Sequence, residues 1–234
     1  MGFFDSLRRI LGDTAAKVVR ADIKRRGSRI GYIMGSGDDV PETLRQVGYD
    51  VTLLSDADLD RGDFARYDAI VTGIRAYNTR DRMHLAHAKL MQYVENGGTV
   101  VVQYNTANAL DDLAVPVPGP FPFKISRERV TVEEAPVKLL AADHPVLTTP
   151  NRITAADFEG WVQERGLYFP NEWDPRYTTV LSTNDPGESE KPGGLLVAKH
   201  GKGTFVYTGY AFWRQLPAGV PGAIRTFVNL VSAK

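Results

Sequence analysis

The sequence predicts a doubly wound α/β domain on a mostly parallel sheet, with a β-rich extension in its second half. Three observations carry this. From Ser28 to Gln103, short apolar runs alternate with amphipathic helical stretches, the pattern of successive βαβ units. Thr99-Val100-Val101-Val102-Gln103 is a β-branched run without polar alternation, as a strand covered by helices on both faces requires. From Pro116 onward, prolines and short strand-like segments replace the helices.

Each element has a local reason. Ile30-Gly31-Tyr32-Ile33-Met34 is a strand that opens into Gly35-Ser36-Gly37-Asp38-Asp39. Asp38 or Asp39 can cap a helix with Pro41 in its first turn, Leu44 and Val47 inward and Gly48 as its stop. Val51 to Leu54 and Tyr67 to Gly73 read as the next strands. A helix over about 81–95 places Leu85, Ala88, Leu90, Met91 and Val94 on or near one face and ends at Gly97-Gly98. In the second half, Ile125 to Thr131, Val137 to Leu140, Tyr177 to Ser182, Leu195 to Lys199 and Thr204 to Gly209 read as strands. His200-Gly201-Lys202-Gly203 is a tight turn between the last two. Thr154 caps a short helix toward Trp161, and Pro221 opens a closing helix to Val231. Residues 1–27 read as a helical or extended arm and 28–234 as one domain. The arm carries Phe3, Phe4, Leu7, Ile10 and Leu11 at helical spacing, with a basic face at Arg8, Arg9, Lys17 and Arg20. It reads as a packing arm or as a basic surface anchor, and Met1-Gly2-Phe3-Phe4-Asp5-Ser6 fits the loose myristoylation pattern.

Composition narrows the function. The 28 Lys and Arg balance 28 Asp and Glu, so the basic excess of a nucleic-acid binder is missing. The absence of cysteine removes thiol catalysis, thiolate metal sites and disulfides. No apolar run approaches the roughly 18 residues of a membrane span, and Arg8, Arg9 and Asp13 interrupt any signal-peptide core. A complete chain of this kind is expected in the cytoplasm. A piece of a longer precursor could be extracytoplasmic.

The candidate chemistry is sparse. Gly35-Ser36-Gly37 follows a strand, but Val40 stands where dinucleotide spacing needs a third glycine, and Asp38 and Asp39 would repel an anion. A helix cap is the better reading. His84 and His87 could share a helix face, but no further ligand is in reach, so neither a metal nor a cofactor is expected. Asp143-His144-Pro145 offers a histidine base with no serine or cysteine to activate. The stretch from Asp157 to Tyr177 mixes aromatics, carboxylates, arginines and an amide. That mixture suits sugar stacking and hydroxyl hydrogen bonds, through Trp161, Gln163, Arg165 and Trp173, or a core plugged by aromatics and ion pairs. Trp213-Arg214-Gln215 has the same two readings. Ligands of open α/β sheets bind beyond the carboxyl ends of strands, which nominates Arg75, Tyr77, Asn78, Tyr104 and Asn105.

Tyr67-Asp68-Ala69-Ile70-Val71 and Tyr93-Val94-Glu95-Asn96-Gly97-Gly98-Thr99-Val100-Val101-Val102 resemble the core of glutamine-amidotransferase-like domains, a group that includes trehalose-utilisation-type proteins. Arg75-Ala76-Tyr77-Asn78, Gln103-Tyr104-Asn105, Asn151-Arg152-Ile153-Thr154, Gly160 to Phe169 and Tyr207-Thr208-Gly209 look most like the C-terminal domain of large bacterial PIG-L-type deacetylase proteins. The resemblance runs from about residue 16 to the end and implies a flavodoxin-like three-layer fold. It also places Tyr104 at the turn where true amidotransferases carry a cysteine, and the PIG-L metal motif is absent. The expected function is therefore a non-catalytic domain that binds a carbohydrate or polar ligand, or accompanies a PIG-L-type deacetylase. The rival readings are a sugar or ester hydrolase using Glu164, Glu172 or His144, with Tyr104 as a weak nucleophile candidate, and a structural interaction module.

Overall fold

A computed structural model describes residues 22–107 and 113–234. The myristoylation pattern and nearly all of the amphipathic arm lie outside the described residues. The strands are β1 (Arg29–Ile33), β2 (Asp50–Leu53), β3 (Ala69–Thr72), β4 (Thr99–Gln103), β5 (Phe123–Val130), β6 (Val137–Leu139), β7 (Gly166–Trp173), β8 (Thr178–Thr179), β9 (Leu181–Thr183), β10 (Leu195–His200) and β11 (Gly203–Thr208). The α-helices are α1 (Val40–Val47), α2 (Asp56–Arg61), α3 (Ala76–Thr79), α4 (Met83–Glu95), α5 (Pro145–Thr148), α6 (Phe212–Gln215) and α7 (Pro221–Val231).

The central sheet has the order β2-β1-β3-β4-β11-β10-β8. β2, β1, β3, β4 and β11 run parallel, and β10 returns antiparallel through the Gly201-Lys202 turn. This is the flavodoxin-like α/β sheet that the alternating runs predict. β4 and β11 are buried along their whole length because they lie at the centre with helices over both faces. One apolar cluster forms around α1 and α7, with Val71, Val101, Val206 and Phe227. The other forms around α4, with Ile70, Leu90, Val100 and Phe205.

The second half holds two small antiparallel pairs, β5 with β7 and β6 with β9. The segment Asp157 to Tyr177, for which the sequence offers no strand before Tyr177, contains β7. Its aromatic–polar composition and Pro170 hide the periodicity. Proline is tolerated there because the β5–β7 register is bulged. Thr154 starts only a single 3-10 turn, Ala155–Phe158, in which the Asp157 carboxylate accepts the Thr154 N–H at 2.8 Å.

Asn229 on α7 fastens the second half to the sheet. It is fully buried; its Nδ2 donates to the carbonyls of Val146 at 3.0 Å and Asn151 at 2.7 Å, and its Oδ1 accepts the Asn151 N–H at 2.9 Å. Asn151 in turn exchanges hydrogen bonds with the Lys24 backbone, so the end of the arm is tied down. Replacing Asn229 with leucine keeps the branched shape and heavy-atom number and strands three buried polar groups. The expected loss is about 3 kcal/mol or more, read as a lower urea midpoint at unchanged slope. An unchanged midpoint would show that the 146–151 segment is not held from α7.

Candidate functional site

The chain reverses its direction of sheet growth between β1 and β3, the place where a doubly wound sheet offers a crevice. Here the chain itself fills it. Asp38 Oδ1 accepts the Tyr32 hydroxyl at 2.5 Å and the Val40 N–H at 3.1 Å, and Oδ2 accepts the Ile74 N–H at 3.2 Å. Ser36 N donates to Ile74 O at 2.9 Å, and a Cβ on Gly35 would lie 2.0 Å from that carbonyl. Gly35 is therefore a close-packing residue, and no phosphate cradle remains. Asp38, not Asp39, supplies the side chain at the start of α1.

Burial raises the pKa of Asp38 from its ordinary 3.8, against the opposing hydrogen bonds from Tyr32, Ile74 and Val40. A carboxyl pKa raised in the fold means that the native state holds the proton more tightly than the unfolded chain. The contribution is fully present below the unfolded value and is lost as pH rises through the folded one. The stability of the wild type minus that of Asp38→Asn should therefore fall as pH increases across this window. Urea titrations at several pH values check it, and a pH-independent difference would refute it.

The next crevice, over β4, is different. The loops leaving β3 and β4 are laced together. Arg75 N donates to Tyr104 O at 2.8 Å and Tyr77 N to Asn105 Oδ1 at 3.0 Å. Asn78 and the Thr106 backbone exchange two bonds at 2.9 and 3.1 Å. On this floor stands the ring of Tyr104. Tyr168 lies parallel to it, with centroids 6.0 Å apart and 7° between planes, and Trp213 tilts against it at 4.4 Å. Arg214 Nε donates to Glu164 Oε1 at 2.8 Å alongside.

Three non-glycine residues among those described have left-handed backbones: Arg75 (φ 57°), Gln163 (φ 69°) and Tyr168 (φ 54°). Arg75 and Tyr168 touch this place directly, and Gln163 directly precedes Glu164. Tyr168 is the extra residue of a bulge, since Leu167 pairs with Arg129 and Phe169 with Glu128. The bulge turns its ring onto Tyr104. β7 is brought over the sheet by the close approach of Gly166 to Gly209, where a Cβ would meet the Gly209 carbonyl at 2.4 Å. Gln163 is held by its N–H on the Glu133 carboxylate and sets the path into Glu164. Each such conformation costs about 1 kcal/mol or more and persists only where surroundings impose it.

The structure brings Arg75, Tyr104 and Glu164 together and adds Tyr168, Trp213 and Arg214. Sequence reasoning had Trp213 and Arg214 only as a general possibility. It missed Tyr168 because nothing in the sequence marks a bulge at a non-glycine position. The other nominated residues are placed elsewhere or turned inward. Trp161 is 3% exposed, packs on Phe158, Tyr210 and Phe212, and donates to Asp157 O. Arg165 is buried, donates to the carbonyls of Ala135 and Phe158, and lies over the Trp161 ring. Burial leaves neither a face for a ligand. Tyr77 is fully buried with its hydroxyl on His87 Nδ1 at 3.1 Å. Asn78 and Asn105 spend their amides on the loops. Gln163 is exposed at the rim, and Trp173 covers Gly193 toward the far end of β7.

Tyr104 does not stand on a strained nucleophile elbow. The strand, left-handed residue and helix that make such a turn are β3, Arg75 and α3. Burial pushes the Tyr104 phenol above its ordinary range. The cations of Arg75 and Arg214 oppose that shift, and Glu164 and Tyr168 add to it. A phenolate nucleophile is thus disfavoured. The carboxylates named for hydrolysis do not converge: Glu164 is on Arg214, whereas Glu172 is exposed on Lys124 at the other end of β7, roughly 25 Å along an extended chain. His144 caps α5 by accepting the Val146 N–H and lies near Lys199. Among the described residues no group of three His, Asp or Glu could hold a metal ion, and no helix is long and apolar enough to cross a membrane.

No protein-family model and no curated protein matches this chain. Solved structures do. A cytoplasmic protein from Salmonella typhimurium LT2 matches 88% of this chain and 100% of its own at 15% identity, with a TM-score of 0.56. A GMP synthase-like protein from Thermoplasma acidophilum matches 89% and 96% at 10% identity, with a TM-score of 0.53. A ThuA-like protein from Bacteroides uniformis ATCC 8492 covers 92% of both chains at 15% identity, with a TM-score of 0.49. The first two share this chain's fold, and with the sheet order they show a flavodoxin-like α/β fold of the kind seen in glutamine-amidotransferase-like domains.

Proposed function

We propose that this domain is a non-catalytic, amidotransferase-like module that binds a carbohydrate or related polar ligand, the alternative being that it accompanies a PIG-L-type deacetylase. The observation that carries the reading is the convergence of Tyr168 and Trp213 on Tyr104. Tyr168 reaches Tyr104 as a left-handed bulge residue, and left-handed Arg75 bonds the Tyr104 carbonyl below it. Tyr168 and Trp213 are only partly buried, so they offer ring faces. The Arg214–Glu164 pair beside them offers donors and acceptors for hydroxyl groups. Tyr104, nine-tenths buried, is their backing. Its distance from Tyr168 is too short to admit a sugar between the two rings, so the ligand stacks on the outer faces. The missing thiol and the neutral phenol leave this geometry able to hold a ligand and poorly suited to attack one.

A glycan array followed by calorimetry on the best hit tests the reading. Tyr168→Ala and Trp213→Ala should each weaken binding by roughly tenfold or more while leaving the fold intact. Trp161→Ala should instead lower stability by about 3–5 kcal/mol. An array without hits, together with alanine at Tyr168 and Trp213 changing stability alone, would remove the binding claim.

A further inference from the structure

A second concavity lies at the opposite, amino end of the sheet. It measures about 320 Å³, the small end of ligand-pocket size. Thr204 on its wall pairs with Thr99 at the start of β4, one strand length, roughly 17 Å, from Tyr104. Its floor is apolar, with Val146 and Val197, and its rim is cationic, with Arg176, Lys199 and Lys234 beside His144. Among the described residues no Asp or Glu lines it.

Local pairing absorbs only part of this charge: Arg176 is paired with Asp174 and Lys234 lies near Asp68, whereas Lys199 has no carboxylate partner among the described residues. Lys199 Nζ donates to Thr204 Oγ1 at 3.0 Å, a hydroxyl rather than a carboxylate. Arg176 is held rigid. Its guanidinium lies 3.7 Å from the Phe121 ring centroid, and Asp174 takes Nε and Nη2 at 2.8 Å each, which leaves the Nη1 edge. His144 is pushed toward its neutral form, first by burial and then by the Lys199 charge. The C-terminal end of α7 points here and carries partial negative charge. That end is covered: Ser232 N returns to Val228 O and Asn229 O, and Ala233 O accepts the Thr99 hydroxyl.

We propose that this cleft is a second ligand site, for a small amphiphilic anion. Its carboxylate or phosphate meets Lys199 and Lys234, and its apolar body packs on Val146 and Val197. A cationic rim over an apolar floor favours such a molecule over a neutral sugar or a bare ion. The site is independent of the aromatic one over β4.

Calorimetry and amide chemical shifts with phenyl phosphate, benzoate and benzyl alcohol test this. At least one anion should bind saturably in the millimolar range or tighter, shifting the amides of Thr178 and Val197, and the two anions show which head group the rim prefers. Benzyl alcohol should not saturate. Lys199→Glu should weaken the anion by roughly tenfold, as should Thr178→Trp, which plugs the mouth from an exposed position. Both variants are checked for an unchanged thermal transition, and Tyr168→Ala should bind as the wild type does. The proposal falls if neither anion binds, if benzyl alcohol binds equally well, or if binding survives both folded variants.

Discussion

The bonds between the loops that leave β3 and β4 decide what this end of the molecule can be. Arg75 N on Tyr104 O, Tyr77 N on Asn105, and the two bonds between Asn78 and Thr106 turn two loops into one surface. Buried backbone groups in loops have to find such partners. Here the asparagines supply them, which is why Asn78 and Asn105 face each other's loops rather than solvent. With that surface fixed, Arg75 is forced into a left-handed conformation, and the ring of Tyr104 has one place to stand. Only then can a bulged Tyr168 and Trp213 close on it.

Much of the sheet was legible because its signals are local. β-branched runs, Gly48, Gly97-Gly98 and Pro221 set their strands and helix ends within a few residues. The His200 to Gly203 turn and the antiparallel return of β10 follow from the same short-range chemistry. β7 was not legible, because its role depends on pairing with β5 across a distant part of the sequence. Its bulge, and with it the direction of Tyr168, is a property of the pair. The site followed the same division. Arg75 and Tyr104 could be named from topology alone, since strand ends are where loops gather. Trp161 and Arg165 could not be told from ligand contacts, because an aromatic beside an arginine looks the same in sequence whether it faces a ligand or plugs a core.

The two crevices along the sheet show how one fold can keep or discard a site. Between β1 and β3 the Asp38 carboxylate binds Tyr32, Val40 and Ile74 at once, and Gly35 lets the loops touch. A ligand there would have to replace three hydrogen bonds made by a half-buried carboxyl. Over β4 the loops are bonded to each other beneath the surface, so their upper side stays open to rings from elsewhere. The difference is where the bonding is spent, across the mouth in one case and under the floor in the other.

Strain separates a binding module from a purely structural one. Packing alone has no need of three left-handed side-chain-bearing residues at one spot. A glycine at each would serve at lower cost, yet glycine stands at none of them. What glycine cannot supply is the guanidinium of Arg75 and the ring of Tyr168. Keeping the side chain and bearing the strain makes sense where the side chain is wanted in that position. The interior arrangement around Trp161 and Tyr210 reaches dense packing with none of them left-handed. The strain therefore tracks the partly open rings rather than the core, which is the distribution a recognition surface produces.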